Sequence, residues 1–274
     1  MKTRFLFILL ISFLVPLIVN ADPLENDQLF VTKKLPGKRG AHSHRTWSNG
    51  FIGLSVGGGF PMSDYGKADT IVGAGYAKIG INFNITGGVK LMPYVGIIAM
   101  AGGTFNGINV KVLNDQSASD TTGKASGIKP PTYSAKAYLI TKYMAGGFLY
   151  FTDGESYDIS IRILAGVAMV KFPIVTATQS SPSWTQDKTV EIPTSTGLGY
   201  DVGAGLNYKL AGRLSLLFNI DYFGTNVKYG KKTESTQVKF TNSPIVANST
   251  YIDTKTYTQS VSLITVSMGV AFNF

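Results

Sequence analysis

Asp201 and Asp221 are the pair of residues in this chain whose type and spacing most invite chemistry. Two carboxylates held close in a confined interior repel, and one stays protonated unless a cation stands between them. Such a pair is a starting point for acid-assisted hydrolysis. The usual supporting base is missing: both histidines, His42 and His44, lie near the start of the chain, and there is no cysteine. A Ser/His or Cys/His nucleophile is therefore not available around the two acids. Cysteine-ligated metals are excluded as well. The histidines form an i, i+2 pair with no evident third ligand, so no metal site is expected. Gly197-Leu198-Gly199 and Gly203-Ala204-Gly205 keep a period of two and lead into no helix, so they are not phosphate loops.

These acids can act together only if the backbone aims them at one place. From Gly50 onward, apolar residues recur at every second position, as in a strand whose two faces meet different surroundings. Ile52, Leu54 and Val56 alternate with Gly53, Ser55 and Gly57. The same period runs through Ile79–Ile85, Ile159–Met169, Leu198–Leu210, Leu214–Tyr222 and Ile264–Phe274. Residues 90–105 are apolar on both faces and 134–151 are less regular; counting both gives eight strands. Short turns are expected near Thr86–Val89, Thr152–Ser156 and Leu210–Arg213. Longer connections fall at 61–70, 107–133, 171–196 and 224–260. Ten strands result if part of 107–133 or 224–260 joins the wall.

Alternation alone fits two opposite arrangements. A soluble carrier of lipocalin type hides its apolar set, whereas a membrane barrel turns it outward to lipid. The polar set here is mostly Gly, Ser and Asn with scattered charges, while a water-facing surface carries about a quarter to a third charged residues. Aromatics gather near the ends of the apolar set: Phe60, Tyr200 and Tyr222 at one rim, Phe83, Tyr208, Phe272 and Phe274 at the other. Connections alternate between short and long, again as in membrane barrels. The expected fold is all-β: an eight-stranded antiparallel up-and-down transmembrane β-barrel with long extracellular loops.

The expected interior charges are then Lys78, Lys142, Arg162, Asp201, Lys209 and Asp221. If the turn pairs 210 with 214, residue 203 faces 221 and 201 faces 223. The two carboxylates then lie diagonally, roughly 7–8 Å apart at the backbone. Arg162, on the preceding strand, is the natural bridge between them. The cluster reads as an ion-pair plug with its polar groups satisfied, in preference to a catalytic pair. Neither enzyme activity nor a cofactor is expected.

At the N-terminus, Lys2 and Arg4 precede the apolar run Phe5–Val19, and Val19-Asn20-Ala21 suits a signal peptidase. The run is shorter than the roughly 20 residues that span a bilayer. Residues 1–21 are read as a removed signal peptide, 22–49 as a flexible periplasmic tail and 50–274 as the barrel. Cleavage after Ala21 takes the formal charge from +9 to +7 by removing Lys2 and Arg4. An exported protein meets no nucleic acid, so this charge points to anionic lipid and lipopolysaccharide phosphates. Lys228, Lys231, Lys232, Lys239 and Lys255 concentrate it in the last long connection, against Glu234 and Asp253. That connection is expected to project as a hairpin toward an extracellular ligand or host surface.

Two segments carry a family resemblance. The stretch Gly50–Pro61, GFIGLSVGGGFP, looks like the first strand of small bacterial outer-membrane barrels. Ile264–Phe274, apolar at every second position and ending on Phe274, looks like their assembly signal. Residues 50–274 thus resemble the outer-membrane β-barrel domain family, of OmpA/OmpX-like architecture. The resemblance implies recognition by the barrel assembly machinery through Met268, Val270, Phe272 and Phe274. It implies no single activity. The expected role is structural or surface-interacting, with a closed, side-chain-filled lumen. A membrane-embedded hydrolase using the lumen carboxylates and a soluble periplasmic carrier remain the alternatives.

Overall fold

Barrel closure follows from the strand pattern. The computed structural model describes residues 50–68, 75–92, 94–119, 128–152, 157–210 and 213–274. The expected signal peptide and tail, with His42 and His44, lie outside the described residues. In chain order the elements are β1 (Gly50–Met62), α1 (Ser63–Gly66), β2 (Gly80–Met92), β3 (Val95–Asn106), α2 (Val110–Ser119), β4 (Thr132–Ala135) and β5 (Tyr138–Thr152). There follow β6 (Tyr157–Lys171), β7 (Val175–Ser180), β8 (Trp184–Glu191), β9 (Ser195–Lys209), β10 (Leu214–Tyr229), β11 (Lys232–Phe240), β12 (Val246–Asp253) and β13 (Tyr257–Asn273).

Eight strands close in the order β1-β2-β3-β5-β6-β9-β10-β13 and back to β1, every pair antiparallel. The seam joins the first strand to the last, Phe51 opposite Asn273 and Met62 opposite Ser262. At its foot Gly50 and Phe274 exchange both backbone hydrogen bonds, at 3.0 and 2.9 Å. The Phe274 ring packs over Gly50, within 2.6 Å of where a Cβ would be.

The faces are assigned without ambiguity. Ile161, Val202 and Phe218 are 44%, 42% and 42% exposed, whereas Arg162 and Asp201 are 5% and 0% exposed. The apolar set faces outward. Exposed rings form two rims, one toward the long connections with Phe83, Phe105, Tyr143, Tyr200 and Tyr222, the other with Tyr94, Phe151, Tyr157, Tyr208, Phe272 and Phe274. Phe83 belongs to the long-connection rim, opposite to expectation, because β2 begins at Gly80 and runs down from that end.

The turn expected at Thr86–Val89 is strand. β2 continues to Met92 and turns before Val95. Its Gly88 serves packing rather than turning: the Phe51 ring reaches within 2.6 Å of the Cβ position.

The long connections are themselves structured. β4, β7, β8, β11 and β12 form a separate five-stranded sheet in the order β12-β11-β8-β7-β4. β10 and β13 stay paired up to Tyr229 opposite Tyr257, and β11–β12 follow as the hairpin that the sequence suggests. Its partners β7–β8 and β4 were not anticipated. Among the described residues no part of 107–133 or 224–260 enters the barrel wall as an extra strand, and the wall closes with eight.

Within this sheet Glu234 lies between two lysines, with Lys188 Nζ 2.7 Å from Oε2 and Lys232 Nζ 2.7 Å from Oε1. Hydrogen bonds from Lys188 and then Lys232 hold its carboxyl below its ordinary value of 4.5. A depressed folded-state value adds stability above the unfolded value and loses it as pH falls through the folded one. The solvent-screened bridge is weak. Lowering pH from 7 to below about 4.5 is expected to reduce the protection factors of β8 and β11 amides, with exchange corrected for its intrinsic pH dependence, more in the native chain than in Glu234→Gln.

Candidate functional site

Gly203 decides how the lumen charges meet. It lies between Arg162 and Asp221, opposite both, on the central strand of β6-β9-β10. Lacking a side chain, it lets the guanidinium cross the strand. Arg162 donates to Asp221 Oδ1 from Nε at 2.9 Å and from Nη2 at 2.5 Å, and from Nη1 to Asn219 Oδ1 at 3.0 Å. A Cβ on Gly203 would sit 1.8 Å from that Asp221 oxygen.

Phe223 lies opposite Asp201, the register that follows from a turn pairing 210 with 214; Leu210 N–H donates to Leu214 O at 3.0 Å. Arg162 nevertheless does not bridge the two acids. Asp201 takes its own cation, Lys142, at 2.7 Å, and that ammonium also lies 5.1 Å from the centre of the Phe223 ring. The sequence offered Lys142 as an interior charge but did not show which acid it would reach. Tilted strands carry a side chain across a neighbour, which counting along one strand does not reveal.

Two expected members lie elsewhere. Lys78 precedes β2, is exposed and is outside the lumen. The alternation that included it begins only at Gly80. Lys209 is at the short-turn mouth, exposed at the end of β9 and 3.3 Å from Asp158. Asp158 also accepts from the Tyr150 hydroxyl, and Lys90 lies 3.7 Å from the Tyr150 ring centre. This lower group was missed, although Asp158 and Lys90 keep the inward parity of β6 and β2.

The lumen is not polar throughout. Toward the long connections it fills with Ile140, Val170, Phe172, Val227, Val261 and Leu263, and fully buried Tyr65 of α1 packs edge-on against Tyr138. Tyr65 donates to Asn106 and Tyr138 to Gly75 O, so both of these tyrosine hydroxyls are satisfied. Residues 90–105, apolar on both faces, contribute Ile98 and Met100 to the interior. A gap of about 30 Å³ beside Arg162 and Tyr150 is far below the few hundred Å³ of a ligand pocket. Asp201 and Asp221 are both buried, at 0% and 1% exposure.

An apolar belt between aromatic rims, around a lumen of neutralised charges, is the pattern of lipid-facing barrels. The chain has the architecture of a small outer-membrane β-barrel. No protein-family model matches it, and no curated protein matches it. Solved structures similar in fold include Neisserial surface protein A (12% identity, TM-score 0.40, covering 82% of this chain and 97% of that one). The attachment invasion locus protein Ail of Yersinia pestis is similar at 15% identity and TM-score 0.37, covering 82% and 99%. The outer membrane protein OprG of Pseudomonas aeruginosa is similar at 13% and 0.38, covering 83% and 97%.

The remaining candidates lie on the surface. Met268, Val270 and Phe272 of β13 are exposed on the apolar belt, as is Phe274 at the seam. Lys228, Lys231, Lys239 and Lys255 are exposed around the five-stranded sheet, while Lys232 is half-buried against Glu234.

Removing one partner of a buried ion pair leaves an uncompensated charge and costs about 3–5 kcal/mol, while replacing both by apolar groups is nearly neutral. Arg162→Met is therefore expected to lose about that much in urea unfolding in detergent. Adding Asp221→Leu should recover most of it. Gly203→Ala, forced against Asp221, should cost about 1–3 kcal/mol by overpacking.

Proposed function

We propose that this protein is an outer-membrane barrel whose working part is the structured surface raised on its long connections, with the barrel as a sealed anchor. The observation that carries this is the contrast between the two ends. At one end, tight connections join β2 to β3, β5 to β6 and β9 to β10; at the other, the connections build a second sheet of five strands. A protein that only spanned a bilayer would need no such sheet. The packed lumen argues against an open pore. The ion-paired, inaccessible Asp201 and Asp221 argue against a lumen hydrolase.

The apolar exterior also argues against a soluble carrier, because contiguous apolar patches beyond a few hundred Å² are rare on soluble monomers. The exposed lysines suit lipopolysaccharide phosphates or an anionic extracellular partner. The expected leader and the barrel assembly machinery belong to the same reading, with Met268, Val270, Phe272 and Phe274 as the segment that the machinery would meet.

The test is extraction and mobility. The protein should stay in the outer-membrane fraction until detergent is added and migrate differently on a detergent gel when unheated. Release by salt, or one mobility at both temperatures, would remove the reading. Val202→Arg, on the lipid face, should cost about 2–4 kcal/mol near the bilayer midplane. Protease added to whole cells should cut within 175–191 or 232–253 and leave the barrel strands intact.

A further inference from the structure

The closed barrel has no edge strand, so the edges among the described strands belong to the five-stranded sheet, β4 on one side and β12 on the other. They are treated differently. β4 has four residues, and α2 lies against it. Asn114 Oδ1 of that helix accepts the Tyr133 N–H at 2.6 Å, and Ser117 donates to Pro131 O at 2.8 Å. One edge is thus capped by side chains that satisfy its backbone.

β12 has no such cap. It runs for eight residues, and all of Val246–Ile252 are exposed. No described strand or helix pairs with its outer side. Its sequence, VANSTYID, contains no proline or glycine and no charge before Asp253. Exposed edges are ordinarily blunted by lysine, proline, a bulge or brevity, because their unpaired N–H and C=O groups template another strand. Eight residues extend about 27 Å at ~3.4 Å each, long enough to hold a peptide by its backbone.

The charge around this edge selects the occupant. Lys239 stands opposite Val246 at one end of β12, and Lys255 follows Asp253 at the other; both are exposed. Two carboxylates lie nearby. Glu234 is held by Lys188 and Lys232, and Asp253 accepts from Tyr257 at 2.6 Å and from the Lys255 N–H at 2.9 Å. Residues 224–260 carry Lys228, Lys231, Lys232, Lys239 and Lys255 against Glu234 and Asp253, so the strand lies in net positive charge. A second copy would bring two such net-positive hairpins side by side, which like-charge repulsion disfavours.

We propose that the outer edge of β12 binds an extended acidic peptide segment of a partner protein, which joins the sheet as a sixth strand. This rests on the reading of the five-stranded sheet as the working surface.

The test uses the full chain in detergent micelles with the peptide Asp-Glu-Thr-Val-Thr-Val-Thr-Val-Glu-Asp as probe. Two controls accompany it: the same peptide with proline at its central valine, and one with lysine at all four acidic positions. The acidic peptide should bind and slow exchange at alternate amides of Val246–Asp253 by tenfold or more, and the proline peptide should do neither. Lys239→Glu with Lys255→Glu should weaken the acidic peptide at least tenfold and favour the lysine peptide.

Three results overturn the proposal: no binding of the acidic peptide, equal binding of the proline peptide, or protection outside β12. So does concentration-dependent protection of β12 without peptide, which assigns the edge to a second copy. Heat-dependent mobility and protease cleavage on cells do not depend on the peptide. A failure here is therefore separable from failure of the outer-membrane reading.

Discussion

Everything in this fold depends on backbone satisfaction within the wall. A strand surrounded by hydrocarbon finds no water for its N–H and C=O groups, so each must be paired with a neighbour. A flat sheet always leaves two strands half unpaired. Only closure removes both, and the pairing of β1 with β13 provides it. Once the sheet is a cylinder, its two faces have fixed fates: one meets whatever surrounds the barrel, and the other meets only itself. The alternation, the rims of rings and the small inward residues all follow from that geometry.

The interior shows how charge is tolerated in a closed space. Lys142 and Arg162 balance Asp201 and Asp221 one for one, so the central quartet is neutral. Glycine is as important as the charged groups. Gly203 and Gly205 clear the surface over which the Arg162 side chain lies; a Cβ at Gly205 would meet Asn219 Oδ1 at 2.8 Å. Above the quartet, apolar side chains and Tyr65 close the passage. The lumen is thus layered, with a charged middle under an apolar cap, rather than uniformly wet.

The outward set was legible because a period of two is a local property, readable from Ile159 to Met169 without knowing any partner. Which acid met which cation was not legible, because Lys142 and Asp201 are two strands apart and meet through strand tilt. The Thr86–Val89 turn misled for a similar reason: Gly87 and Gly88 look like breakers, yet Gly88 answers to the distant Phe51 ring. Lys78 shows the opposite limit, since parity carries no meaning beyond the end of a strand. The five-stranded sheet escaped because β4 pairs with β7 and β8 with β11 across separate connections, pairings that no single segment announces.

The seam also has a temporal meaning. Phe51 and Asn273 lie at opposite ends of the described residues, so the contact that closes the barrel is among the longest in sequence. Contacts of that span fold slowly, because loop entropy must be overcome before they give anything back. Until then the growing sheet keeps two open borders, each able to capture another chain. The folding chain is therefore most vulnerable just before the seam closes, and it must be kept solitary until β1 and β13 meet.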